Sequence, residues 1–371
     1  MGLNRPQIVS RGGEFCRVWL ALLAFFLSLV GFQPAAAQSA YIANRDANTV
    51  SVINTATNTV TATVPVGVQP AGVAVSPSGA RAYVTNYGSN TVSVIDTAIN
   101  AVVATVNVGE SPYGVAVAPD GTRVYVVNAD NRFVSVINAA TNAEVTGVTV
   151  GAFPIGIALT PDGTRAYVAN SNSDTVSVID TATYNVIATV AVEIQPEAVA
   201  ITPDGTRAYV TNSGTGKISV INTATNVIDA TLALSAGISG IAFSPDGTRA
   251  YVGNAVGDSV AVVNIATNTV VATVAVGMNP YGVALNPSGT RAYVVNFGSN
   301  SVSVINTTTN VVIATVPVGA APTSLGQFIV PPAVALPPAG IPTFSEWTMI
   351  LFGCLLASGA VLALKIQPAR T

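Results

Sequence analysis

The residues able to do chemistry are few, and the first observation is a gap: the chain of 371 residues has no histidine. The commonest general base and the commonest transition-metal ligand are therefore missing together. The two cysteines, Cys16 and Cys354, lie in apolar stretches near the two ends. Between them no disulfide, Cys-ligated zinc site or thiol nucleophile is expected. Asp130 and Asn131 are candidate calcium ligands by type, but their surroundings lack the spacing of a calcium loop. On these grounds no metal, no cofactor and no catalytic residue is expected, and the chain reads as a non-enzyme. What remains is a binding constellation. Tyr113, Glu197 and Tyr281 fall at one position of a 42-residue period, while Arg45, Arg132 and Lys217 are the basic residues of the stretches that vary from copy to copy. Aromatic rings flanked by Gln, Asn and Glu suit a sugar or an extended peptide.

The elements that must position these residues are copies of one unit. Tyrosines recur at 41, 83, 125, 167, 209, 251 and 293, within runs such as Ala82-Tyr83-Val84-Thr85-Asn86, with no insertion or deletion. A period of 20 to 50 residues signals a stacked or radial array of a supersecondary unit. Within a unit, runs such as Thr91-Val-Ser-Val-Ile95 alternate polar and apolar residues, the period of a strand with one buried face. Asx residues open one turn in every copy, at Asn54, Asp96, Asn138, Asp180, Asn222, Asn264 and Asn306. Pro-Asp-Gly-Thr-Arg or Pro-Ser-Gly variants form the other, with proline presetting φ and glycine taking the left-handed position. Four strands per unit follow, and radial packing buries the apolar face that a lone sheet would leave wet.

The whole 42-residue unit, with Tyr-Val-Thr-Asn verbatim at Tyr83–Asn86 and Tyr209–Asn212, resembles the YVTN family of bacterial and archaeal propellers. The resemblance implies an all-β, seven-bladed β-propeller over 38–330. The first unit begins at its second strand, and counting 42 on from Tyr281–Ser288 lands on Thr323-Ser-Leu-Gly-Gln-Phe-Ile-Val330. This run is expected to complete blade 1 and close the ring; an open solenoid would leave two exposed sheet edges. The two constant turns are structural, and their arginines are expected to bond from blade to blade. The variable loops between strands 2 and 3 and between blades should open on one face, which is where binding loops belong.

The ends read as addresses. Residues 1–37 have a basic start, an apolar run and Ala35-Ala36-Ala37, the pattern of a cleaved secretory signal peptide. A Pro-rich linker covers 331–340, and 341–371 combine a short motif, an apolar stretch over about 347–364 and basic residues. Ile341, Pro342, Thr343, Ser345, Glu346 and Trp347 resemble the Ile-Pro-Thr-Leu C-terminal sorting domain of Gram-negative bacteria, with Phe344 where the family has Leu. The resemblance implies an exosortase-type processing enzyme as a partner, membrane contact through a C-terminal transmembrane helix, and delivery to the cell surface. Between 38 and 332 nine basic side chains face fifteen acidic ones, a net charge of −6 that speaks against nucleic acid as partner. The expectation is an exported cell-envelope propeller that binds polysaccharide or an envelope protein through its variable face. The alternatives are a metal-dependent lactonase-like hydrolase and a periplasmic nucleic-acid-binding propeller.

Overall fold

Valine- and threonine-rich runs punctuated by two recurring turns produce the same sheet seven times over. The computed structural model describes residues 38–331, and the signal peptide, the linker beyond 331 and the sorting motif expected from the sequence lie outside the described residues. Blade 1 contains β1 (Ser39–Asn44), β2 (Thr49–Asn54) and β3 (Thr59–Pro65). Blade 2 contains β4 (Pro70–Val75), β5 (Arg81–Asn86), β6 (Thr91–Asp96) and β7 (Ala101–Asn107), hydrogen-bonded in that order. Five further four-stranded antiparallel sheets repeat this order, making a seven-bladed β-propeller. Among the described residues no helix is long and apolar enough to cross a membrane.

The two middle strands of each blade are buried and the outer one is exposed, as the patterns of β5, β6 and β7 show. The repeated tyrosines are buried to within 2% and lie between blades. Several of their hydroxyls reach the next blade's Asx turn: Tyr41 donates to Asn100 Oδ1 at 2.6 Å, Tyr167 to Asn226 at 3.0 Å and Tyr209 to Asn268 at 3.0 Å. The motif's last residue works within its blade, with Asn86 Nδ2 donating to Ser93 Oγ at 2.9 Å and Asn170 to Ser177 at 2.9 Å. Tyrosine and asparagine therefore recur for structural reasons. Several turn arginines bond across blades as expected, Arg249 to the Thr307 carbonyl at 3.0 Å and Arg165 to the Thr223 carbonyl, whereas Arg207 faces Asp229 of its own blade. Arg291 donates to the Thr55 carbonyl, which ties blade 7 to blade 1.

The closing run does pair with β1, but not in the register the repeat implies. Pro322 stands opposite Asn44, as Pro70 stands opposite Asn86 in blade 2. Further along, Ala40 faces Ile329, where the repeat would place Gln327 as the counterpart of Val75. The extra length bulges toward blade 2 and bonds to β4, which donates from Val73 N to Leu325 O at 3.0 Å and from Val75 N to Gln327 O at 2.9 Å. Gly326 turns this corner at φ +116, where an added Cβ would collide with the Val73 carbonyl. Phe328 is fully buried beside Tyr41, and Val330 N donates to Ser39 O at 2.8 Å. The closing run thus binds two blades at once.

Candidate functional site

The variable loops meet on one face because they are hydrogen-bonded to each other. The first residue after each second strand donates its amide to an inter-blade loop: Tyr87 to Gln69 O at 3.0 Å, Ser213 to Gln195 O at 2.9 Å, Phe297 to Asn279 O at 3.0 Å, and Arg45 to Ala321 O at 3.0 Å. Just below, each blade contributes one side chain to the rim of the central channel. In ring order these are Ala71, Tyr113, Ile155, Glu197, Ser239, Tyr281 and Thr323, spaced by the repeat. The small residues at this register leave room that the large ones enter. Tyr113 of blade 3 and Tyr281 of blade 7 reach across the channel and their hydroxyls meet at 2.7 Å.

A pocket of about 230 Å³ results, lined by Arg45, Tyr113, Glu197, Ser213, Ser239, Asn279, Tyr281, Phe297 and Thr323. Leu325 packs in one apolar cluster with Ile155, Ala198 and two of the pocket's lining residues, Tyr113 and Tyr281. On its other side Leu325 lines a larger cavity of about 500 Å³, walled by aliphatic side chains and the turn prolines Pro77, Pro119, Pro161, Pro203, Pro245 and Pro287. No ionisable side chain lines that lower cavity, so the chemistry belongs to the smaller, upper one.

Glu197 is the central group. It keeps some contact with solvent through the pocket mouth, but protein atoms surround it on the other sides. Burial raises its carboxyl from the ordinary carboxylate range to about 7, and hydrogen bonds from Tyr281 and Ser213 oppose that shift. The Ser213 hydroxyl also reaches Gln195 O, at 3.2 Å. Burial likewise pushes Tyr113 and Tyr281 above the ordinary phenol value, with the Glu197 charge adding to the effect, so both stay protonated donors at neutral pH. A carboxyl poised near neutrality beside two phenols is an acid–base group in the sense that histidine usually supplies.

Of the residues singled out in the sequence, Tyr113, Glu197, Tyr281 and Arg45 come together in this pocket. Arg132 and Lys217 do not line it. Arg132 occupies the left-handed corner of its loop at φ 58, and Lys217 opens its blade's third strand in an ion pair with Glu193 at 2.9 Å. Both positions lie at the end of the loop that runs outward to the third strand, away from the axis. Ser239 and Thr323 were legible by stepping the repeat from Glu197 and Tyr281, and Ser213 by stepping from Arg45. Among the described residues no three His, Cys, Asp or Glu side chains converge where a metal ion could sit.

A model of the YNCE-like β-propeller matches residues 32–123 and 116–223, more than half of the chain. The chain belongs to that family. The same YNCE-like chain also matches a model of seven-bladed β-propeller lactonases over residues 196–312, a span that holds Glu197, Ser213, Ser239, Asn279, Tyr281 and Phe297. No curated protein matches it. Among solved structures it is similar to hydrazine synthase of Kuenenia stuttgartiensis, with 26% identity, a TM-score of 0.68, and coverage of 74% of this chain and 93% of that one. A functionally unknown protein of Desulfotomaculum acetoxidans is 20% identical with a TM-score of 0.67, covering 77% and 99%. A putative 6-phosphogluconolactonase of Bacteroides uniformis is 20% identical with a TM-score of 0.66, covering 77% and 98%; at this identity both likenesses concern the fold.

The match to the lactonase family overturns the expectation of a non-enzyme. That expectation rested on the missing histidine. It overlooked that burial lifts a glutamate into the same titration range, which the type of residue alone does not reveal.

Proposed function

We propose that this propeller binds a small polar ring, of the size of a single sugar, at the channel mouth, and that Glu197 acts on it as an acid–base group, opening a sugar-derived lactone with water. The observation that carries the reading is the Glu197 carboxyl, raised to about 7 in a small pocket beside the paired hydroxyls of Tyr113 and Tyr281. A volume of about 230 Å³ lies below the ~300 Å³ at which drug-sized pockets begin. It excludes a polymer interior and admits one ring or a chain terminus. The ionised Glu197 takes a proton from water as the oxygen adds to the ring carbonyl. When the tetrahedral adduct collapses, the ring C–O bond breaks and the leaving oxygen recovers that proton, giving a hydroxy acid. One of the two protonated phenols donates to the other, and the remaining phenol proton is the donor available to the developing oxyanion. The export and sorting signals read in the sequence would put this site outside the cytoplasm.

The test is proton release by the full-length chain on a panel of five- and six-membered sugar lactones, against the uncatalysed background. Loss of the acid–base group costs about 10²–10⁴-fold, so Glu197→Gln should fall by that much while still binding the ring. Activity should rise with pH and level off above about 7, where Glu197 is ionised. No lactone opened above background, together with no sugar-sized ring bound, would end the reading.

A further inference from the structure

We infer that the ring bound in this pocket carries a carboxylate, held by Arg45, so that the ligands are sugar acids and their lactones in preference to neutral sugars. The inference rests on the pocket reading above and names the class of ligand it takes.

Arg45 is the single cationic side chain that lines the pocket. Among the described residues its guanidinium has no carboxylate in ion-pair range and donates no side-chain hydrogen bond, although Glu197 lines the same small pocket. Of the other seven arginines among the described residues, five are engaged: Arg165, Arg249 and Arg291 bond to neighbouring blades, Arg207 faces Asp229 at 3.8 Å and Arg123 donates to Tyr184 at 3.2 Å. Arg81 and Arg132 are also without a side-chain partner among the described residues, but neither lines the pocket. Arg45 is also held in place. Its guanidinium carbon sits 5.7 Å from the centre of the Tyr87 ring, and Tyr87 stands edge-on to Tyr113 at 6.0 Å between ring centres. A guanidinium stacked on an aromatic face keeps its planar fork free for a planar, bidentate acceptor. While Glu197 is protonated, one cation matches a singly charged carboxylate. A phosphate dianion would leave charge uncompensated next to Glu197. Asn279 and Ser213 remain for the ring hydroxyls and Phe297 for the ring face.

The test compares three ligands of one ring type on the full-length chain in mild detergent: galacturonate, galactose and galactose 6-phosphate, measured by calorimetry at low and high salt. Because hydrogen bonds to a charged partner are the strong ones, galacturonate should bind at least about tenfold tighter than galactose. Added salt should erode that advantage, and Arg45→Gln should abolish it, bringing galacturonate down to the affinity that galactose has for the same variant. Arg45→Lys should restore part of it, since the charge returns without the fork. Equal affinity for galacturonate and galactose overturns the inference and leaves the pocket reading standing. Preference for the phosphate overturns it as well, and binding of none of the three removes both. Should Arg45→Gln not fold, the salt dependence of the unaltered chain still decides between these results.

Discussion

Replacing Glu197 by glutamine removes the ionisation without changing the shape of the side chain, and the resulting change in stability can be worked out. A carboxyl raised from 4.5 to about 7 on folding binds its proton more tightly in the folded state. Its contribution is complete below the unfolded value and is lost as pH rises through the folded one. At 1.36 kcal/mol per tenfold this is at most roughly 3 kcal/mol. Solvent entering by the pocket mouth screens the charge, so about 2 kcal/mol is expected. For a domain of this size that corresponds to a fall of ~4–6 °C in melting temperature between pH 5 and pH 8. The window is unusually clean. The chain has no histidine to titrate in it, the turn aspartates Asp120, Asp162, Asp204 and Asp246 are held below the ordinary carboxylate value by hydrogen bonds, and the buried phenols titrate above it. Thermal melts of the native chain should therefore slope downward across pH 5–8, and those of Glu197→Gln should stay flat, with the two curves meeting near pH 5. A flat native profile, or an equal slope in the variant, would refute the assignment of a raised pKa and with it the acid–base role.

Three further predictions follow from packing and hydrogen bonding. Tyr281→Phe removes a hydroxyl that favours the ionised Glu197, so the midpoint of the native pH–stability slope should move upward, read from the same melts. Phe328→Ala empties a fully buried site in the closing run and should cost ~3–5 kcal/mol in urea unfolding. Gly282→Ala drives a methyl group into the backbone carbonyl of Ser324 and should cost about 1–3 kcal/mol, whereas the equivalent position of blade 5 already carries Ala198.

Nearly all of the fold was legible, because a repeat supplies its own comparison. The constant step between tyrosines gave the blade count, and the Pro-Asp-Gly and Asx turns gave the hairpins. The closing run was found by counting forward from Tyr281. Its bulge was not, since the shift from Gln327 to Ile329 opposite Ala40 comes from hydrogen bonds to a second blade that no periodicity encodes. The site was legible as a register but not as chemistry. Tyr113, Glu197 and Tyr281 could be placed on one ring, yet the closeness of two phenols across the channel depends on the small residues Ser239 and Thr323 on either side of Tyr281. Arg132 and Lys217 matched by residue type and loop, and only the outward course of that loop set them apart from Arg45.

The closing run also has a mechanical consequence. Val330 N bonds to Ser39 O, so the described domain begins and ends side by side on blade 1. Traction applied at Pro331 acts along a short ladder that leads, within six residues, to Leu325 beneath the polar pocket. Such a pull loads the hydrogen bonds of β1 and β4 in parallel, as shear, and the ladder resists it collectively. If it slips, the displacement passes through Ile329 and Gln327, which line the lower cavity, to Leu325, which packs against Tyr113 and Tyr281. The strap that keeps the ring shut is thus also the linkage by which force at Pro331 reaches the residues beside the pocket.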